Sequence, residues 1–111
     1  MSWTTTLTDA QAGMEDFTAA QAPTAEGFGA LHGAAIAAGE ISAKNKELMA
    51  LAIGISKQCV DCIGFHVKAA IEAGASRAEI EETVGVCILM GGGPAYMYGV
   101  KALKAYDEFS G

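Results

Sequence analysis

The sequence predicts an all-α protein of about six helices. No stretch alternates polar and apolar residues over the length of a strand. Ala, Leu, Met, Glu and Lys dominate, while β-branched residues are thinly spread. Serines and glycines also recur where helices would start and stop.

The first helix is expected over residues 8–20, capped by Thr8 or Asp9, with Leu7, Met14 and Phe17 turned inward. Pro23 then breaks the chain and suits the first turn of a second helix over 24–38. Phe28, Leu31, Ala35 and Ile36 form its expected inward face, and Gly39 ends it. Ser42 caps a third helix over 43–55, with Leu48, Met49, Leu51, Ala52 and Ile55 as its apolar stripe. The fourth helix opens near Cys59 and runs to about residue 73, where Gly74 stops it. It turns Cys62, Ile63, His66, Val67 and Ala70 inward. Ser76-Arg-Ala-Glu79 is a capping box that opens a fifth helix running to about residue 90, with Ile80, Val84, Cys87 and Ile88 on one stripe. Gly91-Gly-Gly-Pro94 interrupts the chain. A sixth helix follows over 94–108, with Met97, Val100, Leu103 and Ala105 available for packing.

The bulk properties bound the function. A chain of 111 residues is expected to be one domain spanning 1–111. Hydrophobic residues make up 51% of it, which suggests an apolar subunit interface. The net charge of −6, with scattered lysines, argues against nucleic-acid binding. The Met-Ser-Trp-Thr start carries no basic or apolar leader pattern, and no apolar run approaches the ~18–20 residues of a membrane span. The expectation is a cytoplasmic protein that binds no membrane. In a reducing compartment a close cysteine pair points to catalysis or metal binding rather than to a structural staple.

That pair is Cys59 and Cys62, in the run Gln-Cys-Val-Asp-Cys-Ile-Gly-Phe-His over 58–66. On a helix Cys62 lies roughly 60°, and His66 roughly 20°, from Cys59, so all three share one face. The start of a helix favours an anion and so lowers a thiol pKa. His66 is placed to take or return the thiol proton. The same three side chains are also three of the four ligands of a zinc site, although crowding them into one and a half turns suits a tetrahedron poorly. A Cys-x-x-Cys of the thioredoxin type would follow a strand, and none precedes this one.

Other candidates have plainer readings. Glu47, beside Lys44 and Lys46, reads by pattern as a solvated surface acid. Cys87, in Val-Gly-Val-Cys-Ile-Leu-Met, reads as a buried core thiol. His32 reads as a packing or interface residue with room for a supporting role at the site. Tyr96, Met97 and Tyr98 read as core or interface.

These residues together resemble the carboxymuconolactone decarboxylase superfamily, specifically its alkylhydroperoxidase D-like branch. The resemblance runs from Ile41 to Tyr106. Its strongest part is Glu47, eleven residues, then Cys59-x-x-Cys62-x-x-x-His66, supported by Lys46-Glu-Leu-Met-Ala-Leu-Ala-Ile, Ala73-Gly-Ala-Ser-Arg-Ala-Glu-Ile and Met90-Gly-Gly-Gly-Pro-Ala95. It implies helical subunits that associate into trimers or hexamers, with no cofactor and no metal. It promotes Glu47 from surface acid to member of a proton relay with His66. It makes Cys62 the thiol that attacks a hydroperoxide, and Cys59 the resolving partner of a redox disulfide. It also implies a dithiol reductant or a lipoyl or peroxiredoxin partner. Alkylhydroperoxidase D proper can carry a His between the cysteines; Asp61 stands there in this chain, which implies weaker peroxide turnover. Two other functions fit parts of the pattern: a non-redox decarboxylase using His66 and Glu47 on a small lactone, and a metal-binding module.

Overall fold

The computed structural model describes residues 2–111, and every regular element among them is helical. The helices are α1 (Trp3–Ala20), α2 (Ala22–Ile36), α3 (Ala43–Ser56), α4 (Val60–Glu72) and α5 (Arg77–Ser110). The last is one helical run in name only. Gly92 adopts φ 68°, ψ −148°, a conformation open essentially to glycine. There the chain reverses, so the arms 77–91 and 93–110 pack antiparallel. Arg77 of the first arm bonds Asp107 of the second through both Nε and Nη2. The expected fifth and sixth helices are these two arms. Arg77–Ser110 is long and apolar enough by composition to cross a membrane, but the reversal at Gly92 leaves no straight helix of that length.

The core lies between α3, α4 and the two arms of α5. Leu51, Ile55, Ile63, Val67, Ile80 and Ala102 are completely buried. All but Ala102 match the stripes expected of helices three to five; Ala102, on the second arm, is not among the packing residues expected there. The arms approach closely at Gly99, where a Cβ would stand 2.6 Å from Val84 Cγ1. Burial raises the pKa of the Cys87 thiol, and its Sγ faces the Ala52 carbonyl at 3.7 Å. It is the core thiol its sequence neighbours suggested.

The N-terminal half departs from expectation. Helix α1 begins at Trp3 rather than near Thr8, because two partners outside the expected helix satisfy its free N–H groups. Ser2 Oγ accepts from Thr5 N, and the Glu108 carboxylate accepts from Trp3 N and Thr4 N at 2.8 Å each. Those backbone donors hold the Glu108 carboxyl below the usual carboxylate range. Leu7 is buried as expected, but Met14 and Phe17 are half exposed. Helix α2 buries no residue at all; Phe28 and Leu31, expected inward, are 70% and 64% exposed. Met49 and Met97 are exposed as well. Apolar periodicity marks a face that needs cover, and within one chain nothing covers these.

Gly99→Ala is expected to destabilise the protein by about 1–3 kcal/mol, because β-branched Val84 has little freedom to yield. This is opposite in sign to the gain that helix propensity alone assigns. Urea unfolding measures it, and pairing the change with Val84→Ala should recover most of the loss.

Candidate functional site

The site is built on the α3–α4 hairpin. The end of α3 is closed by a pair of backbone bonds, Cys59 N to Gly54 O and Gln58 N to Ile55 O, each 3.0 Å. This is a Schellman arrangement, and it places Gln58 in the left-handed region at φ 58°. A non-glycine residue there costs energy, which is a pattern found next to functional sites. Cys59 follows at once and caps α4. Its sulfur accepts from Cys62 N at 3.2 Å, the place usually held by a Ser or Asp oxygen. The expected start of helix four is thereby shifted by one residue, to Val60.

Cys59 and Cys62 are joined in a disulfide, with Cα atoms 5.2 Å apart. Both are partly accessible. Cys62 rests against α3 at Gly54, where a Cβ would come within 3.2 Å of Cys62 Cβ. Gly54 therefore makes room for the disulfide while its carbonyl closes the turn beneath it. Sequence reasoning passed over both Gly54 and Gln58. The composition near Gln58 carries no sign of a left-handed residue.

Glu47 and His66 lie on opposite helices of the hairpin, on faces that the antiparallel packing of α3 and α4 brings together. His66 Nδ1 and Glu47 Oε1 are 2.8 Å apart, with the carboxylate side chain 10% and the imidazole 21% exposed. The reading of Glu47 as a solvated surface acid is overturned: it is the buried charged residue of the core. Its spacing contained the signal, since Glu47, Leu51 and Ile55 form one buried stripe. The carboxylate accepts from Nδ1–H, which fixes the tautomer and leaves the Nε2 lone pair as the free base. A buried carboxylate without such a donor would be costly.

A groove of about 400 Å³ runs along α3 between the end of α2 and His66. His32 lies on its α2 wall, with ring centroids of His32 and His66 6.3 Å apart and the planes 29° from parallel. Lys46 fastens that wall, donating from Nζ to the Ala35 and Ala37 carbonyls at 3.1 and 2.6 Å. Tyr96 and Met97 stand exposed on the second arm of α5 and do not line this groove. Among the described residues, no three His, Cys, Asp or Glu side chains converge as a metal-ligand set.

An all-helical fold that sets a Cys-x-x-Cys disulfide at a helix start, beside a buried Glu–His pair, defines a narrow class of protein. The chain belongs to the carboxymuconolactone decarboxylase family, whose model matches residues 22–105. A protein of Cupriavidus necator, itself uncharacterised, is 37% identical over 91 residues, covering 82% of this chain and 80% of its own. An uncharacterised protein of the cox locus of Paracoccus denitrificans is 35% identical over 92% of both chains. Among solved structures, a family protein of Legionella pneumophila matches with a TM-score of 0.96 and 38% identity, over 98% of this chain and 97% of that one. A family protein of Thermotoga maritima, with a suggested involvement in the antioxidative response, matches at 0.84 and 25%, over 95% and 90%.

Gly54→Val is expected to push Cys62 off α3. The reduced protein should lose about 1–3 kcal/mol in denaturant unfolding. Reoxidation, followed by thiol titration, should slow in the same variant.

Proposed function

We infer that this protein is a thiol-dependent oxidoreductase that reduces hydroperoxides through the Cys59–Cys62 pair. The observation that carries the reading is the junction of two features on one hairpin. A Cys-x-x-Cys disulfide occupies the start of α4, and an imidazole one turn further on is oriented by a buried carboxylate. The suggested antioxidative involvement of the Thermotoga neighbour points the same way.

The reaction begins from the reduced pair. His66, held by Glu47, accepts the thiol proton through Nε2, directly or across a water. The Cys62 thiolate attacks one peroxide oxygen. An S–O bond forms as the O–O bond breaks, sulfur is oxidised by two electrons, and the alkoxide takes a proton to leave as an alcohol. Cys59 then displaces the hydroxyl of the sulfenic acid, water departs, and the disulfide closes. A dithiol reductant restores both thiols by exchange through a mixed disulfide. The α4 N-terminus, where the Cys62 N–H donates to Cys59 Sγ, favours a thiolate.

Mass spectrometry of the reduced protein after one equivalent of an organic hydroperoxide should find an intramolecular Cys59–Cys62 bond and an unmodified Cys87. With a dithiol present, peroxide should be consumed catalytically. Glu47→Gln should slow thiol oxidation about 10²-fold or more, since an amide NH2 can donate to Nδ1 and select the wrong imidazole tautomer, and the amide no longer stabilises the imidazolium. Stoichiometric oxidation without turnover would leave disulfide exchange with a partner protein as the function. Activity that survives loss of both cysteines would point to lactone decarboxylation by Glu47 and His66.

The same reading includes self-association. The chain exposes 6647 Å², about 900 Å² more than the roughly 5,700 Å² expected of a monomer of this mass. That excess matches the ~800 Å² per partner that a stable interface buries. The exposed Phe28 and Leu31 of α2, with Leu89 and Met90 of α5, supply an apolar surface for a second copy. Sedimentation equilibrium should give a mass that is a multiple of 11.3 kDa; a monomer at micromolar concentration would refute it.

A further inference from the structure

We propose that His32 is a second catalytic imidazole, which protonates or hydrogen-bonds the departing oxygen, and that Lys46 is the residue that positions it. This rests on the hydroperoxide reading above.

The groove beside His66 is lined mainly by Ala35, Ile36, Ile41, Met49, Ala50 and Ile53. Its polar lining is His32, Lys46 and His66. Two of these are already engaged. The Lys46 ammonium is bound to the last carbonyls of α2, and His66 Nδ1 is bound to Glu47. His32 forms no hydrogen bond with another described residue, so its ring nitrogens remain free for a molecule in the groove. Ile53 lines the groove, and the next residue, Gly54, is the seat of Cys62. Neither cysteine lines the groove; His66 joins it to the disulfide, lying one turn along α4 from Cys62, so a molecule in the groove has both imidazoles beside it.

This division answers a need of the chemistry. Cleaving the O–O bond requires a base for the thiol and an acid for the alkoxide. His66 is committed to one tautomer by Glu47, and its Nε2 is the base. With Nδ1 engaged by Glu47, a single nitrogen of His66 would otherwise have to serve both the thiol and the departing oxygen. His32, exposed on the opposite wall of the groove, supplies a second nitrogen donor. Each turnover then moves one proton from thiol to His66 and one from His32 to the alkoxide, and both groups re-equilibrate with water.

His32 reaches this place only because α2 is held. The helix buries no residue, so its packing fixes it weakly. The two bonds from Lys46 secure its C-terminal end, where the dipole also favours a cation. Lys46 precedes Glu47 on α3, so one turn of helix anchors the wall with His32 and orients His66.

The experiment compares two reactions of the reduced protein. Oxidation by an organic hydroperoxide needs a thiolate and an acid for the leaving oxygen. Alkylation by iodoacetamide needs the thiolate alone. His32→Ala should lower the hydroperoxide rate constant about 10-fold or more and leave alkylation within about twofold. His32→Gln, which keeps a donor, should recover part of the loss. Lys46→Met should behave like His32→Ala, and Lys46→Arg should restore the rate, because a guanidinium can still bond both carbonyls. Parallel loss of both reactions in the His32 variants would show a structural role and overturn the proposal, as would an unchanged hydroperoxide rate. A wild-type protein that forms no disulfide with hydroperoxide would refute the function itself, and that result appears before any variant is made.

Discussion

The tight reversal between α3 and α4 is the constraint from which the site follows. Its geometry is set by the bonds from Cys59 N and Gln58 N back to Gly54 and Ile55. They hold Gln58 left-handed and deliver Cys59 to the α4 N-terminus as its cap. Once that turn is fixed, antiparallel packing decides the rest. Gly54 meets Cys62 near the turn, and Glu47, two turns back along α3, meets His66, one turn on along α4. A longer connection would let the helices slide. A slip of one residue rotates the α4 face by about 100°, which would part the carboxylate from the imidazole and the cysteine from its glycine. The spacing Glu-x11-Cys-x-x-Cys-x-x-x-His is thus the sequence image of one hairpin register.

What was legible in the sequence follows the range of the forces involved. Capping is local, so Ser42 and the Ser76–Glu79 box fixed the starts of α3 and α5 to the residue. Core stripes are local in period, and Leu51, Ile55, Ile63, Val67 and Ile80 fell where periodicity placed them. The start of α1 was misplaced because one of its caps comes from Glu108, at the far end of the chain. The inward faces assigned to α2 and to Met14 and Phe17 failed for another reason. Periodicity reports an apolar face but not whose surface covers it.

The candidate site divides in the same way. Cys59, Cys62 and His66 were visible because they share one helical face. Glu47 was obscured by its lysine neighbours, although it lies on the stripe of Leu51 and Ile55. A charge beside other charges reads as solvated until a partner across the hairpin is known, and His66 is nineteen positions away. Lys46 is the converse case. It looks like an ordinary surface lysine, yet its ammonium is spent on the carbonyls of a helix that packing barely holds.

The three cysteines differ in environment rather than in residue type. Burial raises the pKa of Cys87, which removes it from nucleophilic chemistry near neutral pH. Cys59 and Cys62 sit at the start of α4, partly accessible, yet they are not equivalent. The sulfur of Cys59 accepts the Cys62 backbone N–H as the helix cap, a contact of the kind that favours negative charge on sulfur. Cys62 is pressed against Gly54 and lies one turn from His66, with the base closer to hand. In the proposed cycle the cap would stabilise charge on one sulfur and His66 would take a proton from the other. A pair divided in this way can exchange the roles of attacker and leaving group between the oxidative and reductive halves of a cycle. The α3–α4 turn, which sets both the cap and the distance to His66, is what keeps the two roles apart.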